Sequence, residues 1–327
     1  MRAIEVRRFG APDVLQVADR SDPVPGPDQV VVAAAASDVL FVDTMIRSGA
    51  GASYFPIKPP YVPGNGVGGT VVGVGESVGR EWLGRRVAAH TGGRGGTGGY
   101  AELAVADVEH VIVVPDEVDL LAATAVLHDG TTALRVLEIT APRPGEWVLV
   151  LGAAGGMGIL LVQLLSAYGV NVVGAARGKA KQDAVAQAGA RGAVDYGLPD
   201  WDAAVLDATG GARPAVVLDG VGGAMGSAAF GLVADDGRFS AHGAPSGSPA
   251  SIDRDAAERR RIRVSTIRDL QYGPGDRSRL MGDVLRQLAG RRISPLIGQS
   301  FSLGDAAKAH EAIEGRRTVA KTLLLTH

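Results

Sequence analysis

The spacing of apolar and polar positions changes character once along the chain, near residue 120. Before that point apolar residues come in short runs rich in β-branched side chains, at 2–8, 29–35, 69–74, 86–90 and 100–105. Clusters of proline, glycine and aspartate separate them, as in Asp22-Pro23-Val24-Pro25-Gly26-Pro27-Asp28. Short strands bounded by turn residues predict a compact, barrel-like β domain. After residue 120 the period lengthens. Asp119 to Glu138 reads as one or two helices, and Pro142 and Pro144 block their continuation. From Trp147 onward apolar strands alternate with helices: strands at 147–151, 171–175, 193–195, 215–218, 237–241 and 262–267, helices at 157–168 and 179–187. Strands apolar throughout, alternating with helices, predict a parallel sheet covered on both faces. The tail from Arg279 carries a helix, an extended stretch at 293–302, a second helix and a last strand at 321–325. Its β character suits a return to the first domain. The expected division is 1–121 with 285–327 for the β domain and 122–284 for the α/β domain.

Composition narrows the chemistry. The 327 residues carry a formal charge of −2, so no basic surface suggests a nucleic-acid partner. Cysteine is absent, which excludes disulfides, a cysteine nucleophile, iron–sulfur clusters and thiolate zinc sites. No run of eighteen apolar residues occurs and Met1-Arg2-Ala3-Ile4-Glu5 lacks a signal-peptide core, so a cytoplasmic protein without membrane partners is expected. Glycine is abundant, 47 residues, and concentrates at 64–79, 92–99 and 152–158.

The third glycine cluster has the context that gives such a cluster meaning. Val148-Leu149-Val150-Leu151 runs into Gly152-Ala153-Ala154-Gly155-Gly156-Met157-Gly158 and then into an apolar helix. Read from Ala153 this is A-x-G-x-x-G. Ala153 permits the tight turn, Gly155 lets the backbone approach a pyrophosphate, and Gly158 lets helix and strand press together. The helix N-terminus offers unpaired N–H groups to the phosphates. The run Gly73 to Gly79 is also glycine-patterned, but no apolar helix follows it, and it reads as a β turn.

An NAD site usually places an acid about 20 residues on, at the end of the second strand. Here that strand ends Ala175-Ala176-Arg177-Gly178-Lys179-Ala180-Lys181, with no acid before Asp183. Only five lysines occur in the chain, and two of them fall in this turn. Cationic groups pair with a 2′-phosphate that a carboxylate would repel. NADP(H) is the expected cofactor; a solvated basic turn opening a helix is the plainer alternative.

With these residues the sequence resembles the medium-chain dehydrogenase/reductase superfamily, in its zinc-independent quinone oxidoreductase (zeta-crystallin-like) branch. The likeness runs through Asp43-Thr44-Met45-Ile46-Arg47-Ser48-Gly49, Tyr61-Val62-Pro63-Gly64, Gly69 to Gly75, Gly98-Gly99-Tyr100-Ala101-Glu102, Thr131-Thr132-Ala133-Leu134-Arg135, Gly152 to Gly158, Asp219-Gly220-Val221-Gly222-Gly223 and Ala309-His310-Glu311. It implies a GroES-like β-barrel domain and a Rossmann domain with the active site in the cleft between them. It also implies a homodimer joined through the last Rossmann strand, 262–267. By resemblance Arg177 and Lys181, and more loosely Tyr196 and Arg316, hold the 2′-phosphate. Ala153, Ala154, Gly155, Gly156 and Met157 line the pyrophosphate; Thr132, Asp219, Val221, His242 and Gly243 flank the nicotinamide. Zinc-dependent relatives carry Gly-His-Glu where this chain has Gly64-Asn65-Gly66, and cysteine near Ser37, so no metal is expected. The six histidines (His90, His110, His128, His242, His310, His327) show no ligand-like spacing. Two departures from the reductase pattern are Leu40, where asparagine is usual, and Met45, where tyrosine is usual.

Without a metal, hydride transfer from the nicotinamide is the remaining chemistry. A quinone or conjugated carbonyl then needs a hydrogen bond and a proton, which water can supply. Tyr54 can donate or can serve as a stacking wall. His128 can act as acid with Asp129 orienting it, or the two can cap a helix start locally. A dedicated biosynthetic enoyl-type reductase and a non-catalytic NADPH-binding protein stay open as alternatives.

Overall fold

The computed structural model describes residues 1–51, 55–92, 97–273 and 275–326. The chain forms two compact units, one of Met1–His128, Gly275–Gly290 and the segment from Ile297, the other of Asp129–Pro274 and Arg291–Leu296.

In the first unit β1 (Arg2–Val6) and β2 (Leu15–Asp19) form an antiparallel hairpin, followed by β3 (Gln29–Val39), α1 (Phe41–Ser48), β4 (Gly66–Val74), β5 (Arg86–His90), β6 (Leu103–Asp107), β7 (Val111–Val113) and α2 (Leu120–Val126). The eleven-residue β3 is the organising strand. Its start pairs with β6, its end pairs with the last strand of the chain, and β4 runs along its other side. Val30, Val32, Val67, Val71 and Val87 are buried together inside this sheet. From β3 the cluster takes Val30, Val32 and Ala34, at the two-residue period that puts side chains on one face of a strand.

The second unit begins with α3 (Asp129–Thr140). It continues β8 (Trp147–Leu151), α4 (Gly156–Ala167), β9 (Asn171–Ala175), α5 (Lys179–Gln187), β10 (Gly192–Val194), α6 (Trp201–Ala208), β11 (Val216–Asp219), α7 (Gly223–Leu232), β12 (Arg238–Ala241), α8 (Arg254–Arg259) and β13 (Arg263–Thr266). Its six strands are parallel in the order β10-β9-β8-β11-β12-β13. Counted along the chain this is the 3-2-1-4-5-6 order of a doubly wound dinucleotide fold, whose ligands lie beyond the carboxyl ends of the strands. Leu149, Val173, Val217, Phe230 and Phe239 fill one face.

The chain then returns to the first unit with α9 (Asp276–Ala289), β14 (Ile297–Ser302), α10 (Ala306–Glu314) and β15 (Lys321–Leu325). β15 pairs antiparallel with β3 and parallel with β14. The expected cuts after residues 121 and 284 pass through α2 and α9; the structure keeps both helices whole in the first unit. The reason is packing: α2 lies against β3, β4 and β5, and α9 lies against α2 and β7.

Strand and helix bounds at 86–90, 147–151, 171–175, 179–187 and 321–325 agree with the sequence reading. Others shift or were missed. The strand expected at 100–105 is β6, 103–107, because Tyr100 leaves the ladder and buries its ring completely. β2, α1, β7, α6, α7 and α8 have no counterpart in the sequence reading.

Candidate functional site

In the second unit the turn after β8 carries most of the expected cofactor residues. The residue that makes the tight turn is Gly152, at φ +71°, rather than Ala153 as the motif suggested. Ala153 is buried, and its N–H donates to Ala175 O on β9 at 3.1 Å. Gly155 caps α4 with extended backbone and no side-chain acceptor, so the first-turn N–H groups of Gly156 and Met157 face outward from the helix end. Gly158 is required by contact: a Cβ there would stand 2.4 Å from Gly152 O and 2.7 Å from Ala153 C.

At the end of β9 Ala175 and Ala176 are buried, and Arg177 is exposed. The Arg177 guanidinium stacks over the Tyr196 ring, 5.7 Å from its centroid. Lys181 sits half-buried in the first turn of α5. One residue of this corner escaped the sequence reading. Asp195 accepts from Gly178 N–H (2.9 Å), Gly197 N–H (2.8 Å) and Gln182 Nε2 (3.3 Å), tying the loop after β10 to the start of α5. Its carboxylate is spent on holding the turn. Arg316 belongs to the first unit, exposed just after α10.

The loops after β11 and β12 are bonded to one another. The Asp219 carboxylate accepts from Val221 N–H (2.9 Å) and Gly222 N–H (2.8 Å), while its carbonyl accepts from His242 N–H (3.1 Å) and Gly243 N–H (3.0 Å). Burial raises the Asp219 carboxyl above its ordinary value, opposed by those two N–H donors. A Cβ at Gly152 would stand 3.3 Å from Val221 Cγ2. His242 Nδ1 lies 3.1 Å from Ser240 Oγ, and burial pushes its imidazole down to about 4, so it is neutral at pH 7. The Thr132 hydroxyl is 3.3 Å from the Tyr272 hydroxyl. The unit therefore gathers Ala153 to Met157, Arg177, Tyr196, Asp219, Val221, His242 and Gly243 along the carboxyl edge of one sheet.

The first unit holds the remaining candidates. His128 is five-sixths buried (17% exposed), and its Nδ1 lies 2.7 Å from Asp38 Oδ2, not on the expected Asp129 carboxylate. Its Nε2 lies 3.0 Å from His90 Nδ1, the two rings edge to face at 4.4 Å. Asp38 is fully buried at the end of β3, and its other oxygen pairs with the buried Lys321 ammonium. Burial opposes ionisation of Asp38, but Lys321 and His128 outweigh it and hold the carboxyl below its usual value. Gly66 makes room for this arrangement, since a Cβ there would meet His128 Cε1 at 2.9 Å. Asp129 opens α3 in the second unit. Tyr54 lies outside the described residues.

A second buried group surrounds Tyr100, whose hydroxyl is 3.2 Å from Asp43 Oδ2 and 3.1 Å from His310 Nε2. Burial drives Asp43 up to about 6 and His310 down to about 3. Among the described residues no three His, Asp or Glu side chains converge as metal ligands do. The Ser37 hydroxyl donates to Gly99 O at 2.5 Å.

Comparison with known proteins agrees with this architecture. Residues 26–116 match the alcohol dehydrogenase GroES-like domain, and residues 156–281 match a family described as zinc-binding dehydrogenase. The chain is 32% identical to the quinone oxidoreductase of Pseudomonas aeruginosa over 99% of both proteins. It is 31% identical to that of Sus scrofa over 99% of this chain and 98% of the other. The quinone oxidoreductase of Escherichia coli, solved with NADPH, superposes with a TM-score of 0.91 at 25% identity, covering 99% of this chain and 100% of that one. A mycobacterial protein solved with NADPH gives 0.89 at 30% identity over the same shares. With relatives this similar along its whole length, a parallel sheet in dinucleotide-fold order and the glycine turn at its edge, the chain belongs to the medium-chain dehydrogenase/reductase superfamily, in its quinone oxidoreductase branch.

Proposed function

We propose that this chain is an NADPH-dependent oxidoreductase that works without zinc and passes hydride to a quinone or a conjugated carbonyl. The observation that carries the reading is the Arg177–Tyr196 stack beyond two alanines, at the position where an NAD enzyme places its ribose-binding acid. NADPH, when bound, supplies the hydride.

The chain's own residues bind and orient. Ala153 to Met157 and the start of α4 offer backbone N–H groups to a pyrophosphate. Arg177 and Lys181 offer cations to a 2′-phosphate, with the Arg177 guanidinium over the Tyr196 ring. Asp219, by accepting from Val221 and Gly222 N–H, shapes the loop that with Thr132, His242 and Gly243 would flank the nicotinamide. A neutral His242 adds no positive charge there, which favours a ring that becomes cationic on giving up hydride. The family description mentions zinc, but Ser37 and Asn65 replace soft or imidazole ligands, and the Ser37 hydroxyl is already engaged. A homodimer through β13 is part of the same reading, supported by Val264 and Ile267, 38% and 53% exposed, at the edge of the six-stranded sheet. No helix among the described residues is long and apolar enough to cross a membrane, which agrees with a cytoplasmic enzyme.

The test is NADPH oxidation against a panel of quinones and enones, before and after prolonged chelation. Broad turnover that survives chelation is expected. Turnover confined to one enoyl acceptor would replace the reading by a dedicated biosynthetic reductase, and binding without turnover by a non-catalytic protein. Stoichiometric zinc by elemental analysis would overturn zinc independence. A monomeric mass in light scattering at micromolar concentration would overturn the dimer.

A further inference from the structure

Asp195 joins two loops of the second unit through a single carboxylate. Its Oδ2 accepts from the Gly178 N–H at 2.9 Å and its Oδ1 from the Gly197 N–H at 2.8 Å. The first N–H belongs to the peptide that joins Arg177 to Gly178, the second to the peptide that joins Tyr196 to Gly197. One side chain therefore grips the main chain directly after each of the two residues that lie over one another, the Arg177 guanidinium 5.7 Å from the centroid of the Tyr196 ring. We propose that Asp195 is a positioning residue for cofactor choice: acting through Arg177, it gives this chain its preference for NADPH over NADH. This rests on the reading of Arg177 as a partner of the 2′-phosphate.

The backbone on both sides makes this grip specific. β9 and β10 pair up to Ala175 and Val194, and the Ala176 N–H donates to Val194 O at 3.0 Å. Arg177 and Asp195 thus leave the ladder together. The Asp195 carbonyl accepts from the Leu198 N–H at 3.2 Å, which closes a four-residue turn with Tyr196 and Gly197 at its centre. Across from it Gly178 turns the chain into α5 at φ +82°, a conformation that favours glycine. Glycine has no side chain with which to cap that helix, and Asp195 reaches over from the other loop to its N–H. Gln182 Nε2, within α5, also donates to Oδ2 at 3.3 Å.

Three donors arriving at two oxygens suit a carboxylate, which presents lone pairs only. An amide in its place would turn an NH₂ toward one of the two backbone N–H groups and release that peptide. The carboxylate also carries a negative charge, which by itself disfavours a phosphate nearby. Position and charge therefore act in opposite directions on NADPH, and neutralising Asp195 shows which prevails. Gly197 completes the arrangement. A Cβ there would stand 2.9 Å from Asp195 Oδ1, 3.3 Å from Arg177 Cγ and 3.6 Å from Arg177 Nε, so the Arg177 stem passes over bare backbone. Gly197 is not among the glycines with positive φ, so alanine fits its backbone and presses first on those two side chains.

The test is a double-variant cycle on the full chain, read as the dissociation constants of NADPH and NADH. Asp195→Asn should weaken NADPH by about three- to tenfold, as for one lost hydrogen bond, and leave NADH unchanged. In an Arg177→Ala background the same substitution should add no further loss, because Asp195 acts through Arg177. Gly197→Ala keeps the Asp195 carboxylate and should reproduce the selective loss, again with nothing added once Arg177 is gone. Tighter NADPH binding in Asp195→Asn would overturn the proposal in favour of a plain charge effect. Equal losses for the two nucleotides would leave Asp195 a role in the fold alone, and additive losses in the double variant would detach it from Arg177. If a thermal melt shows Asp195→Asn to be unfolded, the Gly197→Ala measurements decide by themselves. A wild-type protein that binds NADH as tightly as NADPH would sink the reading of Arg177 and the proposal with it. A wild-type preference that persists unchanged in both variants would sink the role of Asp195 alone.

Discussion

The Arg177 guanidinium lies over the Tyr196 ring, 5.7 Å from its centroid, so a side chain after β9 rests on one after β10. A cation so fixed loses less freedom on meeting a phosphate than a free side chain does. A charge-assisted hydrogen bond contributes roughly 1.5–3 kcal/mol, and each 1.4 kcal/mol is about tenfold in affinity. Arg177→Ala should weaken NADPH binding by about ten- to a hundredfold and leave NADH nearly unchanged, and salt should erode NADPH binding more. Titration of both nucleotides checks this. Equal loss for the two would mean that Arg177 only shapes the turn.

Gly158→Ala should remove cofactor binding of both kinds. The new methyl would meet backbone atoms of Gly152 and Ala153 at 2.4 and 2.7 Å, and backbone there cannot move without displacing the β8 turn. Overpacking of this sort costs about 1–3 kcal/mol. A thermal melt with normal Tm and normal NADPH affinity would show that the turn adapts.

Asp43 makes a pH-dependent liability. Its carboxyl is raised to about 6, chiefly by burial, against an ordinary value of 3.8. A carboxyl whose folded value is raised weakens the fold as pH climbs from about 4 to 6, and the penalty persists above that. Asn at this position can still accept from Leu40 N–H and the Tyr100 hydroxyl. Asp43→Asn should therefore raise stability at pH 8, by something of the order of 2 kcal/mol, and do little at pH 4. Denaturant melts at the two pH values decide it; equal shifts at both would refute the charge argument.

Asp38 behaves in the opposite sense. Lys321 and His128 lower its carboxyl below 3.8, so its contribution is present above the unfolded value and is lost as pH falls through the folded one. Removing one partner of a buried pair costs about 3–5 kcal/mol, whereas removing both can be nearly neutral. Asp38→Asn should destabilise strongly at pH 7, and adding Lys321→Met should recover much of the loss. Additive losses in the double variant would mean that the pair is not coupled.

Local pattern alone determined a large part of this protein. Continuous apolar runs fixed β8 and β9, and Lys179 to Gln187 and Lys321 to Leu325 came out with their observed bounds, because hydrophobic period and glycine or proline punctuation act over a few residues. The glycine turn and the acid-free end of β9 were legible for the same reason. Tertiary structure decided what local pattern could not. α7 carries glycines at 223, 226 and 231, poor helix formers that only packing under Phe230 and Leu232 sustains. β2 is a strand because β1 pairs with it. Which residue makes the β8 turn depended on φ at Gly152, and Asp195 drew its role from N–H groups in another loop. Most plainly, His128 had a carboxylate next to it in sequence and found its partner 90 residues back, on β3. A buried imidazole bonds to whatever the fold brings within 3 Å, and that is settled by how strands and helices pack rather than by neighbours along the chain.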